Sequence, residues 1–167
     1  SRYLIDAKRM GKFEKLIYLV QPEMKSLLSR VEGVDETIGF GERSGIDYDG
    51  FSSLLGIMKV LRVSPENCKR PPHIATDQGL DEVWKHKINQ SWDGKSMKIG
   101  LVWSGDPRHG NDFARSIPLS KFLPHLPVPG VQCFSFQVGQ AAEQLKQGDD
   151  RIVELGSEFR NFDDTAS

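Results

Sequence analysis

The stretch from Lys98 to Leu119 constrains the possible fold more than any other part of this sequence. It begins with a short apolar run, Ile99 to Trp103, that has no helical spacing, and it continues into a polar loop that contains glycine. Such a run predicts a buried strand of a parallel sheet with both faces covered. Because ligands bind outside the carboxyl ends of strands in open α/β sheets, this loop is the first place to expect a binding site.

Helix and strand signals alternate along the rest of the chain, which predicts an α/β fold with Rossmann-like parallel sheets and flanking helices. Strands are predicted at 15–20, 35–40, 99–103, 131–136 and 152–155, with a strand followed by a helix over 49–58. Helices are predicted at 3–10, from Pro22 to Gly33, from Asp77 towards Gly94, from Leu119 with a break at Pro124, and at 141–145. The strands at 99–103 and 131–136 are predicted to be parallel neighbours. The proline-rich stretch 64–77 is predicted to be a connecting loop.

Composition and charge exclude several classes of protein. The chain has 167 residues, of which 38% are hydrophobic and 27% are charged, so a packed core is expected. The formal net charge of -1 argues against nucleic-acid binding that relies on bulk charge. No apolar run approaches the roughly 18 residues that a membrane-spanning helix needs. Cys68 and Cys133 lie far apart and show no metal-ligand spacing, so we expect a cytoplasmic protein in a reducing environment.

Four segments together carry a family resemblance. They are GLVWSG with the HGND loop and the RSIPL helix start that follow it, VQCFSFQVGQ, FDDTA near the C-terminus, and RYLIDAKRMGKFEKLIYLVQPEMKSLL near the N-terminus. In this combination the sequence resembles glycosyltransferases of the heptosyltransferase-like group, family nine, a kind often fused to tetratricopeptide repeats. The resemblance implies the GT-B fold of two facing Rossmann-like lobes. It assigns residues 1–94 to the acceptor-side lobe and residues 95–167 to the start of the nucleotide-sugar-binding lobe.

The resemblance also implies an activity, and the chain departs from the family in two places. Family members transfer a sugar from a nucleotide-sugar donor by an inverting displacement, generally without a metal ion, so we expect no metal site and no cofactor besides the donor. The family's first strand and acceptor-side loop have no counterpart before Tyr3, and the chain stops at Ser167, before the family's downstream donor motif. We therefore expect an incomplete piece that has no transferase activity alone, and we assign no catalytic residue.

Seven residues are candidate contacts of the donor. They are Ser104, Gly105, Asn111, Arg115, Ser116, Gln137 and Thr165. The guanidinium of Arg115 can form paired hydrogen bonds with a diphosphate, and in the resembled family a basic residue near this position faces the donor phosphates. The alternative is a surface arginine paired with Asp112 or with a glutamate. Ser104 and Gly105 allow a ligand to approach the backbone closely, although a plain turn explains them equally well.

Two of these candidates have simple structural alternatives. Gln137 follows a predicted strand end, so it either borders the nucleotide base or stands in an ordinary strand-to-helix turn. Thr165 resembles the threonine at a helix start in the family, and its alternative is a helix cap.

Other residues of chemical interest have plainer interpretations. His109 lies between Asp106 and Asp112, but the spacing fits no metal signature, so we interpret it as a solvated loop histidine. Cys133 alternates with a phenylalanine and is interpreted as a core residue rather than a nucleophile. Trp103, at a strand end, is also interpreted as a core residue.

A second class of function stays open, namely a non-catalytic α/β binding or interaction module. Sheets that lack neighbouring strands present unpaired edges, which invite pairing with another chain. The run from Leu16 to Val20 is expected to be the most exposed such segment, so we expect a homodimer or a domain-swapped pair with two-fold symmetry. Nucleotide binding would favour the transferase ancestry. A stable oligomer on which nucleotides have no effect would favour the binding or interaction module.

Overall fold

The computed structural model describes residues 3–10, 13–42, 45–64, 74–126, 128–145 and 150–167. The chain forms two compact units: unit 1 comprises Ser1–Leu80 together with Asn161–Ser167, and unit 2 comprises Asp81–Arg160. Each unit contains a parallel sheet and flanking helices, which confirms the predicted α/β class. The division falls at residues 80 and 81 rather than at the predicted 94 and 95, and the last seven residues belong to unit 1. The arrangement of two facing GT-B lobes stays a prediction.

The helices and strands follow the order that the sequence predicts, except for a strand predicted within residues 49–58. The α-helices are α1 (Leu4–Arg9), α2 (Lys25–Leu28), α3 (Leu54–Val60), α4 (Gln78–Gln90), α5 (Leu119–Phe122) and α6 (Phe162–Ala166). The strands are β1 (Ile17–Val20), β2 (Glu36–Gly39), β3 (Met97–Leu101), β4 (Val131–Ser135) and β5 (Ile152–Glu154). Short 3₁₀ segments lie at Pro22–Met24, Phe40–Glu42, Asp112–Ala114, Leu123–His125, Gln140–Leu145 and Gly156–Glu158. Among the described residues, no helix combines the length and the apolarity that crossing a membrane requires.

Unit 1 is built on a two-stranded parallel sheet in which Ile17 of β1 is opposite Glu36 of β2. Its core contains Leu4, Val20, Leu28 and Val31, which come from α1, β1, α2 and the turn after α2. The apolar spacing after Pro22 therefore buries the face that it predicts, although the α-helical part is only four residues long.

The prediction for residues 49–58 is only half right. The helix exists as α3, and the Ser53 hydroxyl caps it by accepting a hydrogen bond from the Gly56 backbone N–H at 3.0 Å. The predicted strand before α3 is wrong, because residues 49–53 form no ladder with another strand. Of the predicted connecting loop at 64–77, residues 65–73, which include Cys68, lie outside the described part of the chain.

Unit 2 contains a three-stranded parallel sheet in the order β3-β4-β5. Ile99 is opposite Cys133, and Cys133 is opposite Ile152, so the predicted parallel pairing of the segments at 99–103 and 131–136 is confirmed. β4 has a neighbour on both sides, and its last three residues are buried. Trp103, Leu119, Cys133 and Ile152 form the core.

The prediction that the first strand of unit 2 is covered on both faces is wrong. β3 pairs with β4 on one side only, and no strand of the described chain pairs with its other edge. Met97 and Val102 are 66% and 65% exposed, and Ile99 is also exposed. An apolar run therefore predicted the strand correctly, but whether its side chains are covered depends on what packs on the faces of the sheet.

Helix α4 is capped as predicted, because Asp77 Oδ1 accepts hydrogen bonds from the Gly79 and Leu80 backbone N–H groups at 2.8 and 3.1 Å. Trp84 is buried, and its ring lies edge-on to Phe159 at 4.8 Å between centroids. The spacing of Leu80, Val83, Trp84 and Ile88 predicts that these residues share one buried face, but Val83 is exposed, so the prediction is wrong for Val83. One residue along an α-helix turns the side chain by about 100°, which places Val83 on the flank of the face that Trp84 occupies.

Candidate functional site

An open cleft of about 390 Å³ lies in unit 2 beside the carboxyl end of β3. It is lined by Ser104, Gly105 and Pro107 from the loop after β3, and by Gln140, Ala141, Glu143 and Gln144 from the 3₁₀ segment after β4. Both segments follow the carboxyl ends of adjacent parallel strands, which is where open α/β sheets bind ligands. The loop singled out from the sequence therefore lines a cleft.

A hydrogen-bonded network holds the loop after β3. The Gly105 backbone N–H donates to Ser116 Oγ at 2.9 Å, and Ser116 Oγ donates to Asp112 Oδ1 at 2.7 Å. The same carboxylate oxygen accepts from Arg115 Nε at 3.2 Å. The 3₁₀ turn that begins at Asp112 makes this possible, because it brings side chains three and four residues apart onto one side. Asp112 thereby connects the cleft-lining Gly105 to Arg115.

The guanidinium of Arg115 lies directly against Gly105. A Cβ atom added to Gly105 would be 2.4 Å from Arg115 Nη2 and 2.8 Å from Arg115 Cζ, so only glycine leaves room for this approach. Arg115 is exposed, and its described partner is Asp112 through Nε. The ion pair between Arg115 and Asp112, which the alternative interpretation predicts, is therefore present. The same pair also places the guanidinium beside a residue that lines the cleft.

Gln137 is buried beneath the loop and is only 2% exposed. Its Oε1 accepts from the backbone N–H groups of Trp103 and Ser104 at 3.0 and 2.9 Å. Its Nε2 donates to the carbonyl oxygens of Ser104 and Val138 at 3.0 and 2.9 Å. A glutamine side chain forms about four such hydrogen bonds, so this amide is fully occupied by the protein. A contact with a nucleotide base stays a prediction that this geometry does not favour.

Of the seven candidates, Ser104 and Gly105 line the cleft, and the two not yet described, Asn111 and Thr165, do not. Asn111 is exposed in the same loop, and its backbone N–H donates to His109 Nδ1 at 3.2 Å. Thr165 belongs to unit 1 and lies in the last turn of α6. The cap of α6 is Asn161, whose Oδ1 accepts from the N–H groups of the second and third helical residues, so the alternative interpretation of Thr165 as a cap is wrong.

The acidic residues of the loop are engaged by neighbours within the loop. Arg108 Nε and Nη2 donate to both carboxylate oxygens of Asp106, and this pairing lowers the pKa of Asp106 to about 2. His109 accepts a hydrogen bond from the loop backbone, as expected for a loop histidine. In the described ranges, no group of three or more His, Cys, Asp or Glu side chains is arranged to hold a metal ion.

The second wall of the cleft was missed by the sequence interpretation. Gln140, Glu143 and Gln144 lie in the polar segment that follows β4, and Gln144 Oε1 also accepts from the Leu119 backbone N–H at 2.8 Å. The rule that selected the loop after β3 would also have selected this segment, because it too follows the carboxyl end of a parallel strand.

Cys133 is a core residue, as predicted. It is buried on β4 in contact with Trp103, Leu119 and Ile152. Burial raises the pKa of its thiol, which disfavours the thiolate that a nucleophile requires.

Comparison of the chain with protein-family models, with curated proteins and with solved structures finds no match in any of the three. A fold class alone does not define an activity, because the same parallel α/β architecture carries many unrelated functions. The side chains of the cleft must therefore carry the functional inference.

Proposed function

We propose that the cleft binds the diphosphate of a nucleotide sugar and that the chain takes part in transferring the sugar from this donor. The observation that carries the proposal is the position of the Arg115 guanidinium, which Asp112 holds against Gly105 at the cleft. Arginine is suited to phosphate because its planar group presents several donors in a fixed geometry. The absence of a side chain at Gly105 lets this guanidinium pack directly against the loop that lines the cleft.

The opposite wall supports a ligand that carries hydroxyl groups as well as phosphates. Glu143 and Gln144 line that wall, and carboxylate and amide oxygens accept hydrogen bonds from hydroxyls. A bare phosphate would gain nothing from Glu143, since the two charges repel each other. A nucleotide sugar presents its diphosphate to Arg115 and its ribose or sugar hydroxyls to Glu143.

In the proposed reaction, the bond between the anomeric carbon of the sugar and the diphosphate oxygen breaks while an acceptor hydroxyl attacks the same carbon. The electron pair leaves with the nucleoside diphosphate, whose negative charge increases. A guanidinium fixed beside the diphosphate stabilises this leaving group in the transition state. We assign no residue to the base that removes the acceptor proton.

Substituting Arg115 by alanine is expected to weaken the binding of a nucleoside diphosphate by roughly 1.5 to 3 kcal/mol, the scale of a charge-assisted hydrogen bond. Isothermal titration calorimetry with UDP, GDP and ADP measures the change. The matched control is Arg108→Ala, because Arg108 is in the same loop but pairs with Asp106 rather than with Asp112, the residue that is connected through Ser116 to Gly105. Equal losses for both variants, or no heat from any nucleotide at millimolar concentration, would contradict the proposal.

A second candidate, an interaction module that associates with itself, is favoured by the exposed edge of β3. Met97 on β3 and Val102 directly after it expose apolar side chains, and the outer edge of β3 is unpaired in the described chain. The segment from Leu16 to Val20, predicted to be the most exposed, is instead half-buried or buried, because it packs into the core of unit 1. We therefore place the proposed dimer contact at β3.

Light scattering over a range of concentrations is expected to show a dimer that dissociates when Met97 is replaced by lysine. A charge at the strand edge disfavours pairing with a second copy. Val60→Lys is the control, because Val60 is 62% exposed, similar to Met97 at 66%, but lies on α3. A monomer at every concentration would rule out this module, and dissociation of both variants would place the contact elsewhere.

A further inference from the structure

We infer that Gln137 is a positioning residue that fixes the backbone of Ser104 and Gly105 at the cleft and never contacts the ligand. For its effect on ligand binding, this inference rests on the proposed function. The side chain is 2% exposed, so its four hydrogen bonds are shielded from water. They connect the backbone just after β3 with the backbone just after β4, two segments that no helix or sheet ladder joins at this point.

Only a glutamine supplies this set of bonds. One amide oxygen accepts from the Trp103 and Ser104 N–H groups, and one amide nitrogen donates to the Ser104 and Val138 carbonyls. Glutamate has the same length but no donor when it is ionised, and alanine leaves all four backbone groups without their partner. Buried backbone groups that lose a partner favour a rearranged loop in which water can reach them.

The backbone of Gln137 is itself held from the opposite side. A Cβ atom added to Gly156 would be 2.1 Å from the Gln137 carbonyl oxygen and 2.8 Å from its carbonyl carbon, so the two backbones are in close contact. The Gln137 N–H also donates to the buried Ser135 Oγ at 3.3 Å. Because these contacts hold the Gln137 backbone in place, its side-chain amide holds the loop after β3 in a fixed position.

Hydrogen bonds connect the loop after β3 to Arg115, the proposed phosphate-binding residue. Ser104 and Gly105 line the cleft, and Gly105 is connected through Ser116 and Asp112 to Arg115. A shift of Ser104 therefore moves the glycine against which the guanidinium lies. Gln137 thus determines the position of the Arg115 guanidinium, although it does not contact the ligand.

Hydrogen exchange of Gln137→Ala tests the positioning without any ligand. The Trp103 and Ser104 amides are expected to exchange at least about tenfold faster than in the unmodified chain, while the central β4 amides keep their protection. The control is Gln132→Ala, because Gln132 is a half-buried glutamine on β4 that makes none of these bonds. Unchanged exchange at Trp103 and Ser104, or the same loss of protection throughout β4, would overturn the inference.

The Gln137→Glu variant tests the effect on the site. At pH 8 its dissociation constant for the nucleoside diphosphate that binds best is expected to be about tenfold above that of the unmodified chain, both being folded by circular dichroism. Burial favours the protonated carboxyl group, which regains a donor, so the ratio of the two constants is expected to fall towards pH 5. A loss of affinity that is independent of pH, or no loss, would overturn the role in binding. If the unmodified chain binds no nucleotide, the proposed function fails, and the exchange experiment alone decides whether Gln137 orders the loop.

Discussion

Replacing Gly33 by alanine will destabilise unit 1 by about 2 to 5 kcal/mol. Gly33 has φ of +90°, a left-handed conformation that costs an L-residue about 1 to 2 kcal/mol. An added Cβ atom would also be 2.5 Å from Ile5 Cα and 2.7 Å from Ile5 N, and overpacking of this kind costs about 1 to 3 kcal/mol. Because the contacts are with backbone atoms of α1, no side-chain rotation relieves them.

Chemical denaturation followed by far-UV circular dichroism measures this loss. Gly45→Ala separates the two causes, because Gly45 also has a positive φ, +83°, but an added Cβ there meets no described atom within 4 Å. We expect the control to lose only about 1 to 2 kcal/mol. All three tryptophans lie in unit 2, so the tryptophan fluorescence transition should be unchanged in both variants. Equal losses for Gly33→Ala and Gly45→Ala would show that the close approach to Ile5 is relieved by movement of α1.

Replacing Arg30 by alanine will destabilise unit 1 by about 3 to 5 kcal/mol, the usual cost of leaving one member of a buried ion pair without its partner. Arg30 Nη2 pairs with the carboxylate of Asp163 on α6, whose side chain is only 6% exposed. Arg30 Nε also donates to the Ala75 carbonyl at 2.8 Å. The substitution therefore leaves the buried Asp163 carboxylate without its Arg30 partner. It also removes the hydrogen bond to the Ala75 carbonyl, in the segment that precedes α4.

Arg9→Ala is the matched control for Arg30→Ala. Arg9 pairs with Glu32 at 3.8 Å, but the two side chains are 54% and 63% exposed, and such surface pairs contribute about 0 to 1 kcal/mol. Urea denaturation of both variants measures the difference. The double variant Arg30→Met with Asp163→Leu should recover most of the loss, because it removes both charges from the shielded position. Equal losses at Arg9 and Arg30 would show that water reaches Asp163.

The sequence predicts the strands and the site loop for reasons that act locally. The apolar runs at 16–20 and 99–103, the predicted strand at 131–136 and the alternating helix signals leave few arrangements besides parallel sheets. The same logic places the loop of Gly105 and Arg115 at a strand end, where the cleft is found. The network through Asp112 also follows from local spacing, since its members are three and four residues apart.

What the sequence does not predict depends on contacts between distant segments. Whether the side chains of β3 are covered depends on which segments pack on the faces of its sheet, which its own residues do not encode. The inward orientation of Gln137 depends on backbone groups more than 30 residues earlier in the chain. Val83 is apolar and could belong to the buried face of α4, but the residue of α4 that packs against Phe159 is its neighbour Trp84.

The two-segment composition of unit 1 has a consequence for synthesis of the chain. Unit 2 is one continuous stretch, Asp81–Arg160, whereas unit 1 needs both Ser1–Leu80 and Asn161–Ser167. On the ribosome, every residue of unit 2 is therefore made before Asp163, the partner of Arg30, has been added. Because domains generally fold as units while the chain is being synthesised, the cleft can be complete while the first unit still lacks its closing helix. The segment that follows unit 2 in the chain thus completes unit 1, whose larger part precedes unit 2.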